Sequence, residues 1–129
     1  MKILEKEIEF DFFDAKQMEI YEKEADIAQK EINEIISNLK SLKQSELINR
    51  TCETIEKCFD NVFGEGASSK IFEGKRNFRL CIKAFKDLLT ARKEQENEID
   101  AEVASFEKEL KEINADYKPN RATRRTKKW

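Results

Sequence analysis

The residues that break regular structure are confined to two places in this chain, and that limits what it can fold into. All three glycines fall between residues 64 and 74, and the single proline is Pro119. Residues 1–63 and 75–118 contain neither. Uninterrupted runs of that length, filled with Glu, Lys, Ala, Leu and Ile, favour long helices over a sheet sandwich.

The apolar spacing supports the same conclusion. After Asp14, a helix N-cap with Gln17 three residues on, apolar residues fall at Met18, Tyr21, Ala25, Ala28, Ile32, Ile35, Leu39 and Leu42. The steps alternate between three and four, so all eight lie on one stripe of a helix about 40 Å long. A second helix starts at Ser45. Its stripe is Ile48, Cys52, Ile55, Phe59 and Val62, widened by Leu47, Cys58 and Phe63, and Gly64 is suited to end it. The loop 64–74 leaves room for one short helical turn around Ser68, Ser69, Ile71 and Phe72.

A third helix begins near Arg76, with a first stripe of Phe78, Cys81, Phe85, Leu88 and Leu89. Arg92, Gln95 and Glu96 interrupt that stripe, and it resumes at Ile99, Val103, Phe106, Leu110, Ile113 and Tyr117. The spacing allows one helix of about 43 residues, near 65 Å, which shorter helices cannot cover along its length. Its second half therefore binds another copy, binds a partner protein, or folds back at Arg92 to Asn97. Lys118-Pro119 stops it, because a residue before proline avoids the helical region. Ahead of the helices, Ile8 and Phe10 alternate with Glu7, Glu9 and Asp11, the period of a short strand. That strand has no evident partner in the chain. It would pair with another copy or lie as an arm across the helices.

The expected fold is all-α: a three-helix bundle of long amphipathic helices with a short N-terminal strand. It comprises a helical domain over residues 1–118 and a disordered basic tail over 119–129. One domain matches the length of 129 residues. The tail carries Arg121, Arg124, Arg125, Lys127 and Lys128 and no acid, whereas the first 120 residues hold 20 basic against 27 acidic groups, a net −7. A basic tail ending in Trp129 suits nucleic acid through phosphate neutralisation and stacking. The acidic body argues against the broad basic face that nucleic-acid binding normally uses.

Catalytic chemistry finds little support. The chain has no histidine, which removes the commonest general base and metal ligand. Cys52, Cys58 and Cys81 are odd in number and spaced for helix faces, so they are expected to be reduced core residues and not zinc knuckles. Gly64-Glu65-Gly66-Ala67-Ser68-Ser69-Lys70 has two glycines and a lysine, but a phosphate loop follows a strand and this segment follows a helix. No catalytic residue, cofactor site or metal site is expected. No apolar run approaches the roughly 18 residues of a membrane span, and the opening residues have no signal-peptide core.

One resemblance adds a role. The stretch Phe59-Asp60-Asn61-Val62-Phe63-Gly64-Glu65-Gly66, then Lys70-Ile71-Phe72, then the ending Tyr117-Lys118-Pro119-Asn120-Arg121-Ala122-Thr123-Arg124-Arg125, resembles small proteins of phages and prophages of Gram-positive bacteria. The Asn-Arg-Ala-x-Arg-Arg ending is similar to the C-terminus of phage tail assembly chaperones, and Ile8-Glu9-Phe10-Asp11-Phe12 resembles their N-terminal strand segment. The resemblance implies a non-enzymatic protein in the cytoplasm of the bacterial host. It would coat the aggregation-prone tape measure protein while the tail tube polymerises around it. Ile99, Val103, Phe106, Leu110, Ile113 and Tyr117 are the expected partner-binding residues, and self-association is expected. The alternatives are a structural tail or connector protein, or a small nucleic-acid-binding regulator that uses its tail.

Overall fold

The computed structural model describes residues 1–116, and it divides the chain into two units, Met1–Lys93 and the residues from Glu94 onward. The fold is all-α, as the breaker distribution requires. It has three long helices and a short one, α1 (Ala15–Ser37), α2 (Gln44–Phe63), α3 (Ala67–Phe72) and α4 (Phe78–Asp116), preceded by a two-stranded ribbon.

The ribbon differs from the expected lone strand. β1 (Lys2–Ile3) pairs antiparallel with β2 (Lys6–Glu7), with Lys2 opposite Glu7 and Ile3 opposite Lys6. The strands also fall earlier than expected: Ile8 to Asp11 form no strand, and Lys6–Glu7 pairs with the chain's own first residues. Leu4 and Glu5 turn the ribbon with φ of 51° and 67°, the left-handed pair of a tight hairpin made here without glycine. Tertiary contacts hold this turn in place. The Leu4 N–H donates to Asp87 Oδ2 at 3.0 Å, and Ile3 is fully buried. Lys6 Nζ donates to the carbonyls of Lys70 and Ile71 at 2.8 and 2.9 Å and pairs with the Glu73 carboxylate. A cation thus sits on the unpaired carbonyls that end α3.

α1 begins where its cap was expected, with half of the reciprocal arrangement. Asp14 Oδ2 accepts from the Gln17 N–H at 3.0 Å, but Gln17 Oε1 accepts from the Asp11 N–H and not from Asp14. The helix is shorter than its apolar stripe. It ends at Ser37 because Ser37 Oγ and Asn38 Nδ2 donate to the carbonyls of Asn33 and Glu34, at 2.9 and 3.0 Å. Short polar side chains of this kind compete with the next helical turn. Leu39 then falls in a 3-10 turn (Leu39–Ser41) and is exposed, so the stripe stops contributing to the core after Ile35.

The core forms where α1, α2, α3 and the first part of α4 meet. Tyr21, Ala25 and Ala28 of α1 are buried with Cys52, Ile55, Cys58, Phe59 and Val62 of α2, Ile71 and Phe72 of α3, and Cys81, Ala84, Phe85 and Leu88 of α4. The wide stripe of α2 reflects packing on more than one side. Gly64 ends α2 at φ 109° and ψ 155°, a region essentially restricted to glycine. Asp60 then caps α3, accepting from the Ser68 N–H at 2.8 Å and from the Ser68 hydroxyl at 3.0 Å. Arg76 pairs with the Glu56 carboxylate through Nε and Nη2, both at 3.0 Å, which ties the α3–α4 connection back to α2. Asn77 starts α4, its Oδ1 accepting from the Leu80 N–H at 3.1 Å.

Residues Arg92 to Asn97, where a break was expected as one option, are assigned to α4 without interruption. At 39 residues it is about 58 Å long. The described part of the second unit, residues 94–116, is helical throughout.

Candidate protein-binding seam

The apolar residues of α4 follow one heptad register, with positions a and d spaced alternately three and four apart. In the first unit Phe85 falls at d, and Ile82 and Leu89 at a. Phe85 is buried, and the other two pack on the core. Arg92 at d and Glu96 at a break the apolar run. In the second unit Ile99, Phe106 and Ile113 occupy d, and Val103 and Leu110 occupy a. Ile99 is half-buried, but Val103 is 59%, Phe106 61%, Leu110 42% and Ile113 59% exposed. A single register is therefore covered in one unit and open to solvent in the other.

Five of the six residues expected to bind a partner thus share one face of one helix. Tyr117, and the basic-tail residues Arg121, Arg124, Arg125, Lys127 and Lys128, lie outside the described residues. Single exposed apolar residues are ordinary on a protein surface, whereas a contiguous stripe marks an interaction site. Asp100 and Glu107 stand at position e and Glu102 and Glu109 at position g, all exposed, so acids line both edges of the stripe. Lys108 and Lys111 fall at f and b, on the outer face. The net charge of the first 120 residues hides these edge acids, which show only when charge is placed by heptad position.

A second feature was also missed. Phe13, Ile20 and Ile27, seven residues apart, are 55%, 37% and 40% exposed at and along α1, beside its buried stripe. The seven-residue repeat was the available signal, masked by the stronger stripe next to it.

The three thiols are shielded by the core. Cys52, Cys58 and Cys81 are buried and unpaired as disulfides. Burial pushes the Cys58 thiol up from its ordinary 9.0 to about 12, with the nearby Glu24 charge adding to the effect. Burial likewise raises the thiols of Cys52 and Cys81. The thiolate is the reactive form, so burial suppresses it at neutral pH. Among the described residues, no group of three or more His, Cys, Asp or Glu is placed to hold a metal ion. No helix of the described residues is long and apolar enough to cross a membrane.

A thiol reagent at mildly alkaline pH should leave the folded chain unlabelled and modify all three cysteines in urea. The sign follows from linkage. A thiol whose folded value is raised contributes fully to stability below its ordinary value of 9.0, and that contribution is lost as pH climbs from there toward about 12. Labelling of the native chain as fast as a free thiol would show that this core is open.

A family model described as a family of unknown function, DUF6673, matches residues 4–128. The chain belongs to that family. The DUF6673 match takes in all four helices and the seam, and all of both units but Met1–Ile3 and Trp129. No curated protein and no solved structure matches the chain.

Proposed function

We propose that this chain is a non-enzymatic protein-binding protein, a phage tail assembly chaperone that holds the tape measure protein through the α4 seam. One observation carries the binding role: Val103, Phe106, Leu110 and Ile113 stand exposed in one heptad register. An amphipathic helix covers such a stripe by helix-in-groove recognition, with its anchors read at i, i+3, i+4 and i+7. The resemblance of Asn120–Arg125 and Ile8–Phe12 to tail assembly chaperones supplies the partner. A tape measure protein is long, helical and prone to aggregate, so it presents apolar helix faces of the kind this seam covers. Its assembly in the cytoplasm of the bacterial host places the chaperone there.

Co-expression with the tape measure protein of the same phage or prophage tests this. A pull-down followed by light scattering should yield a soluble complex with many copies of the chain per tape measure protein. Absence of a complex, with the tape measure protein still aggregating, removes the reading. Recovery of the chain in purified virions would point instead to a structural tail or connector protein.

A further inference from the structure

We infer that the α4 seam selects an amphipathic helix of another protein whose positions flanking the apolar stripe carry lysine or arginine. This rests on the docking reading above and adds the chemistry of the occupant. The apolar part, Ile99 to Ile113, covers two heptads, about 21 Å of helix, and names no particular partner. The edges do. Residues at e and g face the partner helix across the stripe and set partner choice and orientation. Here those residues are Asp100, Glu102, Glu107 and Glu109, with Lys108 and Lys111 turned to the outer face.

Pairing two copies of this helix sets like charges together in either orientation. A parallel pair places Glu102 of one copy against Glu107 of the other. An antiparallel pair places e against e and g against g, acid against acid on both edges. Like charges in these positions are unfavourable, so the seam is poorly suited to a second copy of itself. The same acids repel the phosphates of nucleic acid and of anionic membrane surfaces. What remains is a helix with an apolar a/d stripe and basic e/g edges, which pairs each carboxylate with a cation and leaves no like-charge contact.

The test uses the full chain and two synthetic peptides, each about 28 residues so that it holds a helix on binding. Both carry Ile at a and Leu at d; one has Lys and the other Glu at every e and g. Binding is read by fluorescence anisotropy at low and at high salt. Each exposed charge pair contributes little alone, but the four positions together should make the Lys peptide bind ~tenfold or more tightly, an advantage that shrinks with salt. Changing Asp100, Glu102, Glu107 and Glu109 together to Lys should reverse the preference. Val103→Glu with Leu110→Glu should lose both peptides, which locates the site.

Equal affinity for the two peptides overturns the charge selection and leaves helix docking standing. Binding of neither peptide overturns the selection and counts against the docking reading as well, which the co-expression experiment judges separately. A dimer of the unmodified chain that Val103→Glu with Leu110→Glu dissolves would assign the seam to a second copy and overturn the inference.

Discussion

Replacing Phe59 by alanine should cost this protein about 3–5 kcal/mol of unfolding free energy, the range for truncating a fully buried phenylalanine. Phe59 has no exposed surface. Its ring stacks on Phe72 at 5.7 Å with the planes 17° apart, and tilts against Phe63 at 5.8 Å. Phe63 meets Phe10 at 5.3 Å, Phe10 meets Phe12 at 4.8 Å, and Phe12 meets Tyr21 at 5.2 Å. The side chain therefore joins α2 and α3 directly and reaches the N-terminal arm and α1 through Phe63. The cavity left by the truncation has walls on two helices, held by the Asp60 cap and the Arg76–Glu56 pair, so it cannot collapse without losing those contacts. Folded domains have about 5–15 kcal/mol to lose, so the variant should melt more than about 10 °C lower. Thermal and urea unfolding followed by circular dichroism measure this. A loss under about 1 kcal/mol would mean that the aromatic chain does not form the core.

Why the sequence displays that core so clearly, and the rest less so, has a physical explanation. Helix periodicity reports which side of a segment is apolar, and for α2 that was enough: Cys52, Ile55, Phe59 and Val62 are all buried as their spacing requires. Periodicity does not report where a helix stops. The stripe of α1 continues to Leu39 and Leu42, but Ser37 and Asn38 end the helix by bonding to its own last carbonyls, a local competition that apolar spacing cannot register. The ribbon was hidden for a related reason. Its turn uses Leu4 and Glu5 in left-handed conformations that glycine or asparagine would normally signal, and the contacts that hold it come from Asp87 and Lys70, far along the chain. In the seam, the apolar register was legible from Ile99 to Ile113. Its exposure followed from helix length and not from spacing, because the same three-four spacing at Ile82, Phe85 and Leu89 is covered.

That contrast within α4 gives the second large effect. Ile99→Glu with Phe106→Glu should leave unfolding free energy within about 0.5 kcal/mol of the parent, as surface substitutions do. Phe106 is 61% exposed and Ile99 half-buried, and glutamate is at least as good a helix former as either. Partner binding should behave in the opposite way. Burying an apolar anchor of this size contributes about 1.5–3 kcal/mol, so removing two d-position anchors should weaken a helical partner by at least a hundredfold. The carboxylates put in their place would face the partner's apolar stripe and deepen the loss. The two variants thus separate two uses of the same kind of residue: Phe59→Ala should damage folding and spare the seam's chemistry, and the double glutamate variant should do the reverse. Titration with the proposed tape measure partner beside a urea melt reads both quantities. If the complex survives while the melt shifts to lower urea, Ile99 and Phe106 stabilise this chain's own fold and are not its docking surface.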